Sequence, residues 1–499
     1  MAALGAVGGQ GARSQVAAGR SGWGRGLGIG VLVVVLAVYG GAYLALPFSN
    51  FDPLIYVMIG RALWHGVLPY DAIFDHKPVL LYAIYGLADR GFGWAPGFFA
   101  VFAIASCAVI AWIAARLRSG DPGTAGRGAA VPWPGVFWSV FLFQLLAGAR
   151  FAVLSGNAEA AFTPICAGVV MLLVRRTDAR AMVWAGMLAM AAVQTNYLSG
   201  VALALPVLFG LWSDGRLRGY VLRALAFGFG AVLVLGALAA LYVLDGRGIW
   251  SDYLAYQVPY LRHYGGGASA RWEACRLFGL CLVAFVPFLW VVWRACGRER
   301  PVRLMLLWVM SGWLACCVSG HAYAHYFTLV LGPLAILFGL AWGWVGRARL
   351  WGSLLPVAVM SCVWLVHDTT HAWRMRADLA ATDYAGLARV VGDVPVLSLD
   401  GSHVPYFMAH LHSVNRYVFP GHVRTIFGAR AEGFLEAALD RGPAFVLTQQ
   451  GGCPADWPHL CGDLAAHYRP VLRSVDRYDF GFVLYGRLPS AQPGAPVMH

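Results

Sequence analysis

Long apolar runs separated by short, arginine-bearing polar segments set the pattern of this chain. Runs near 26–47, 95–116, 134–150, 158–174, 181–196, 197–212, 221–244, 277–293, 304–319, 326–345 and 351–367 approach the roughly 20 residues that cross a bilayer as a helix. The pattern therefore predicts a mainly α, polytopic membrane protein of eleven spans over residues 26–367. Two shorter pieces break the rhythm. Pro53 to His65 is amphipathic with proline in its first turn, and Val79 to Leu87 is apolar but too short to span. Both are expected as interfacial or re-entrant helices inside one long outer loop, 48–94. From 368 the period changes. Short alternating or apolar runs such as "VPVLSL", "AFVLTQ" and "GFVLYGRL" alternate with helical patterns such as "GFLEAALDRG". Residues 368–490 are expected to form a small extracytoplasmic α/β domain, preceded at the other end of the chain by a disordered cytoplasmic tail, 1–25, and followed by a flexible tail, 491–499.

The distribution of charge gives these spans a direction. With the N-terminus inside, the cytoplasmic segments carry eighteen arginines and the outer loops before residue 368 carry eight basic residues. That asymmetry follows the positive-inside rule and places the first loop and the C-terminal domain outside. Counting Val79 to Leu87 as a span would instead put Arg116 and Arg118 outside.

Composition agrees with the pattern: 59% hydrophobic residues, 12% charged residues and a mean hydropathy of +0.63. The net charge of +13 does not indicate a nucleic-acid partner, because the arginines recur in short loops and form no basic face. Most of the ten cysteines lie in apolar runs and read as small buried hydrophobes, with no zinc-ligand spacing among them. Cys453 and Cys461 sit in a polar segment expected to face an oxidising compartment, and sequence alone leaves open whether they pair.

Polar groups able to do chemistry gather on the outer side. The first loop holds Asp52, Tyr56, Arg61, Asp75, His76 and Lys77, and Lys77 is the one lysine among 37 basic residues. Asn157 and Glu159 open the span after the next outer loop, His325 precedes the tenth span, and Tyr256 to Tyr264 add further rings and cations. A carboxylate beside the membrane can take the proton of an acceptor hydroxyl, while a lysine or arginine neutralises a lipid phosphate as it leaves. Carboxylate and imidazole together can also hold a divalent metal, for which His76 and Asp52 are the candidates. Each residue also has a structural reading: Asp52 can cap the helix opened by Pro53, and Lys77 can be a snorkelling anchor.

The stretch "FDPLIYVMIGRALWHGVLPYDAIFDHKPVLLYAIYG", Phe51 to Gly86, resembles the first periplasmic loop of bacterial GT-C glycosyltransferases. The resemblance is to the protein O-mannosyltransferase and aminoarabinose transferase superfamily, in its Rgt-like, lipopolysaccharide-modifying branch. "SGNAEAAF" (Ser155 to Phe162), "GHAYAHYFTLVLGPLAIL" (Gly320 to Leu337) and "HVPYFMAHLHSVNRYVFPGH" (His403 to His422) are similar to later motifs, in the same order along the chain. The resemblance implies an inverting glycosyltransferase that moves a sugar from a polyprenyl-phosphate donor to a glycolipid, glycan or protein acceptor on the periplasmic face. It implies Asp52 as catalytic base, Lys77 as donor-phosphate ligand with His76 and Arg61 beside it, and site positions at Tyr56, Asp75, Glu159 and His325. This chain departs from the family in having Asp52-Pro53 where relatives have Asp-Glu, and Lys77-Pro78-Val79 where they have Lys-Pro-Pro. A catalytically degenerate relative that binds lipid-linked glycan, and a flippase for lipid-linked sugar, are the rival readings. The flippase would need polar residues along a path through the bilayer, and the expected spans carry few.

Overall fold

The computed structural model describes Gly41 and residues 51–71, 73–90, 98–119, 133–151, 153–212, 215–246, 248, 251, 254–255, 266–419, 424, 427–428, 430–454, 457–478 and 480–489. The first expected span, 26–47, and the Tyr256 to Tyr264 loop lie outside the described residues, apart from Gly41, which is helical.

The first loop folds into two helices, α1 (Asp52–Trp64) and α2 (Val79–Tyr85), neither long enough to span. They cross backbone to backbone at Gly60 and Gly86: a Cβ on Gly60 would run into the Tyr82 carbonyl and the Gly86 amide. That close approach buries Leu54, Ile55, Tyr56, Leu81, Tyr82 and Tyr85 in a single cluster.

The bundle that follows comprises α3 (Phe98–Ser119), α4 (Trp133–Gly148), α5 (Ala158–Arg175), α6 (Ala179–Val193), α7 (Leu198–Leu211), α8 (Leu217–Leu244), α9 (Ala268–Val283), α10 (Val286–Cys296), α11 (Arg300–Val318) and α12 (Thr328–Ala341). Among the described residues, six segments are long and apolar enough to cross a membrane, namely α3, α5, α8, α11, α4 with its following turn and α12 with its preceding turn. The chain is thus a multi-pass membrane protein. The α12 segment is the central strut, 89% buried, because its fourteen residues are apolar or small on every side. At the other extreme only 6% of the α8 span is buried.

Three elements differ from the run pattern. The span expected at 277–293 is two helices, α9 and α10, bent by 62° at a break beside Pro287, which sits in the first turn of α10 where its missing N–H costs nothing. The apolar runs 181–196 and 197–212 form helices of only 15 and 14 residues, because Gln194, Thr195 and Asn196 turn the chain early. The last run does not stop at 367: α13 (Leu355–Ala381) continues unbroken for a further 14 residues and carries the chain into the C-terminal region.

There, α14 (Tyr384–Val391), β1 (Val396–Ser398), α15 (Arg430–Leu439), β2 (Phe445–Gln449), α16 (Pro458–His467), β3 (Tyr468–Ser474) and β4 (Phe482–Arg487) form one small α/β unit. The sheet order is β1-β2-β4-β3, with β1 parallel to β2 and the other pairs antiparallel. Cys453 and Cys461 are joined by a disulfide, with Cα atoms 5.6 Å apart.

The sparsely buried α8 is held chiefly by α6. A Cβ on Gly186 of α6 would strike the Phe227 carbonyl, and one on Gly230 of α8 would strike the Val183 carbonyl. This is a small-residue crossing of the kind that lets membrane helices pack without a hydrophobic driving force. Gly230→Val is expected to destabilise the protein by about 1–3 kcal/mol, read as a lower Tm in detergent. Gly228→Ala, two residues away with open space at its Cβ position, should leave Tm unchanged. Equal Tm for the two variants would contradict this packing.

Candidate functional site

Asp52 is the first residue of α1, with Phe51 in the N-cap position, so the carboxylate stands at the positive end of a helix. The chain is fixed immediately before it. His403 Nε2 lies 2.6 Å from the Phe51 carbonyl, and because a carbonyl only accepts, Nε2 carries the proton. The Phe51 ring also packs edge-on against Phe480 of the C-terminal region.

One turn into α1, Tyr56 is completely enclosed. Its burial, and then the negative charges of Asp52, Asp75 and Glu159, hold its phenol well above the usual tyrosine range. Tyr56 therefore stays protonated. The same interaction places one phenol within electrostatic reach of three carboxylates, two from the first loop and one from the "SGNAE" motif. Its ring lies 5.2 Å from that of Tyr85, whose hydroxyl donates to the Gly156 carbonyl and so ties the first loop to the "SGNAE" motif.

Lys77 sits in the connection between α1 and α2, and it is buried together with its neighbours: Asp75 is 1% exposed, His76 7% and Lys77 8%. Tyr82 organises this turn. Its hydroxyl donates to Asp75 Oδ2 at 2.8 Å and accepts from the Lys77 backbone N–H at 3.0 Å. Burial and then the Asp75 charge push the Tyr82 phenol well up, which keeps it a donor. Asp75 Oδ1 faces His76 Nδ1 at 3.0 Å. From the other side, the Tyr70 hydroxyl donates to the Lys77 carbonyl at 2.5 Å. Tyr70 itself has φ +75, a costly conformation for a bulky residue that persists only where the surroundings impose it. Those surroundings belong to the C-terminal region: the Phe74 N–H donates to the Arg416 carbonyl at 2.7 Å, and Arg416 Nη1 reaches back to the Tyr70 carbonyl at 3.4 Å.

Behind the loop, a cavity of about 20 Å³, room for roughly one water, lies between α3, α4, α5 and α12. Gln144, Asn157, Glu159, Thr163 and His325 line it. Glu159 is 3% exposed, and among the described residues neither of its carboxylate oxygens has a hydrogen-bond partner. It lies within electrostatic reach of His325, Lys77 and Asp52. Asn157 occupies the N-cap position of α5 without capping it, and its side-chain amide is likewise unpartnered among the described residues. Native proteins rarely leave such groups unsatisfied, and the exceptions mark places where something else binds. His325 stacks in a parallel ladder with Tyr323 and His321 at the N-terminal end of α12.

The structure thus brings Asp52, Tyr56, Asp75, Glu159 and Lys77 to one place, with His325 on the shared cavity. Arg61 lies in the last turn of α1, nine residues and about 13 Å along the helix from Asp52. Tyr82, Tyr70 and His403 were not singled out as site residues from the sequence. The signal available for the first was Tyr82 and Tyr85, spaced by three on a helix too short for a span. Among the described residues, no group of three or more His, Cys, Asp or Glu side chains could hold a metal ion. Asp75 divides its carboxylate between Tyr82 and His76. Tyr82→Phe removes the donor to Asp75 and the acceptor of the Lys77 N–H, so a loss of about 1–3 kcal/mol in stability is expected, measured by thermal unfolding in detergent.

No family model matches the sequence, and no curated protein does. The fold, however, is matched closely in extent. The crystal structure of ArnT from Cupriavidus metallidurans bound to undecaprenyl phosphate superposes with a TM-score of 0.59 at 13% identity, covering 93% of this chain and 98% of that one. The apo state of the same protein gives 0.57 at 14% identity over the same shares of the two chains. At this identity the likeness establishes architecture: the chain has the ArnT fold, that of the aminoarabinose transferase group its loop motifs resemble.

Proposed function

We propose that this protein is an integral-membrane glycosyltransferase that moves a sugar, with inversion, from a polyprenyl-phosphate donor to a glycolipid, glycan or protein acceptor at the outer face of the inner membrane. The observation that carries the reading is the convergence of Asp52, Glu159 and the buried Lys77 around Tyr56 and Tyr82, in a fold shared with a protein crystallised with undecaprenyl phosphate.

In this mechanism the Asp52 carboxylate takes the proton of the acceptor hydroxyl. The hydroxyl oxygen attacks the anomeric carbon from the face opposite the phosphate, and the bond between that carbon and the phosphate oxygen breaks. The departing polyprenyl phosphate gains negative charge, which the Lys77 ammonium stabilises in an apolar, water-poor setting where such interactions are strong. His76 adds a donor on the phosphate side. Glu159 and Asn157, which lack partners among the described residues, are suited to hydroxyl or amino groups of the donor sugar. The N-terminus faces the cytoplasm and the α/β unit faces the periplasm. That orientation is supported by the arginine asymmetry and by the Cys453–Cys461 disulfide, which belongs in an oxidising compartment.

Mass spectrometry of envelope glycolipids and glycoproteins should show one glycoform missing in a deletion strain and restored by the wild-type chain. Asp52→Asn should lower its formation at least about 100-fold while the protein stays folded. Lys77→Arg should also impair it, by about tenfold or more, because a planar guanidinium cannot follow the leaving phosphate as a compact ammonium does. Wild-type levels from the Asp52→Asn strain would refute the assignment and favour a binding protein without catalysis.

A further inference from the structure

One face of the C-terminal sheet is covered along most of its length and bare at one end. Register sets Leu447, Leu484 and Leu472 side by side across β2, β4 and β3. Leu447 and Leu484 belong to, and Leu472 packs on, the cluster that also holds Leu54 and Tyr56 of α1. The next row on the same face is Phe445, Gly486 and Arg469, with Val471 bulged out between the two rows of β3. There the cover stops. Arg469 is exposed and Phe445 half-buried, beside a groove of about 620 Å³ that Val471 and Arg487 also line.

Gly486 makes the groove. Phe445 and Arg469 stand two strands apart, about 10 Å, and the residue between them has no side chain. A Cβ there would come within 2.9 Å of Val471 Cγ1 and 3.8 Å of the Phe445 ring. The floor is therefore bare backbone between an aromatic ring and a guanidinium. Arg487 Nη1 donates to the Gly442 carbonyl at 3.0 Å, which fixes a second guanidinium at the rim. Among the described residues Arg469 makes no hydrogen bond or ion pair. An open trough of this kind suits a charged sugar, whose apolar C–H face lies on Phe445 while its carboxylate or phosphate takes the fork of a guanidinium. A peptide fits it less well. β3 is the edge strand, but Pro470 offers no N–H and the bulge at Val471 interrupts the ladder that an added strand needs.

We propose that this groove is a docking site for an anionic glycan, one that carries carboxylate or phosphate groups. The binding stands apart from the transferase reading, whereas its use in transfer rests on it. Phe482 and Gly486, at the two ends of this face of β4, are about 13 Å apart. Beyond Phe482 the chain holds Phe480, whose ring lies 5.3 Å from that of Phe51, the residue before Asp52. The sheet that takes the glycan is thus the one that packs against the base. A glycan held here is engaged away from its reacting hydroxyl, which raises its local concentration at the first loop. The groove acts on affinity and not on the chemical step.

The test is binding of tetragalacturonate, phosphorylated maltotetraose and neutral maltotetraose to the full-length protein in detergent, by isothermal titration calorimetry. At least one anionic probe should bind about tenfold or more tightly than maltotetraose, and the pair tells carboxylate from phosphate. Arg469→Glu should weaken that probe about tenfold or more. Arg389→Glu, the same charge change at an exposed position of α14, should leave it unchanged. Asp52→Asn should bind as the wild type does, so loss of docking and loss of transfer are read separately. The proposal is overturned if neither anionic probe binds, or if the two arginine variants weaken it equally. Competition by tetraglutamate as strong as that by the charged sugars would also overturn it, because charge alone would then explain the binding.

Discussion

Everything proposed for this protein depends on how the C-terminal region grips the first outer loop. Lys77 and Asp52 are 25 positions apart in a segment whose two helices are too short to anchor themselves in the bilayer. Among the contacts that hold that segment in place, two sets of hydrogen bonds come from the C-terminal region. His403 takes the carbonyl of Phe51, the residue before Asp52, and Arg416 exchanges backbone-directed hydrogen bonds with Tyr70 and Phe74, the residues before Lys77. The unfavourable backbone of Tyr70 is sustained by this grip, and its hydroxyl carries the constraint to the Lys77 carbonyl. Asp52 and Lys77 are thereby positioned from outside the bundle, by a unit of the chain about 350 residues further on.

Within that frame the electrostatics are set by burial. Asp75 spends both oxygens on Tyr82 and His76, so it shapes the turn. Glu159 has no such partners among the described residues and is enclosed with Asn157 and His325 around room for about one water. A buried carboxylate in that condition costs free energy until a donor reaches it. The contrast separates a carboxylate that builds the loop from one without a hydrogen-bond partner among the described residues.

Much of the architecture was legible because membrane spans are written in composition. The runs that became α3, α5, α8 and α11 needed only length and apolarity to be found, and the shortness of Pro53 to His65 and Val79 to Leu87 already marked a loop with two non-spanning helices. What hydropathy does not encode was missed. The bend at Pro287 lies inside an unbroken apolar run, and the early turn at Gln194 depends on three polar residues being buried together. The passage of α13 through residue 367 is invisible because helix continuity does not require apolar residues. The site shows the same division. Asp52, Lys77 and Glu159 stood out as charges in apolar surroundings, whereas Tyr82, Tyr70 and His403 act through hydrogen bonds between residues whose pairing only the fold reveals. Arg61, read from the sequence as a phosphate ligand, lies at the far end of α1 from Asp52.

The central claim is that this loop cleaves a sugar from polyprenyl phosphate, and the released lipid can be followed without knowing the sugar or the acceptor. Purified protein in proteoliposomes with a total envelope lipid extract, monitored by ³¹P NMR, gives that readout directly. The account predicts that free polyprenyl phosphate accumulates with the wild-type protein and not with Asp52→Asn. Release at the same rate by both proteins, or by neither, would contradict it.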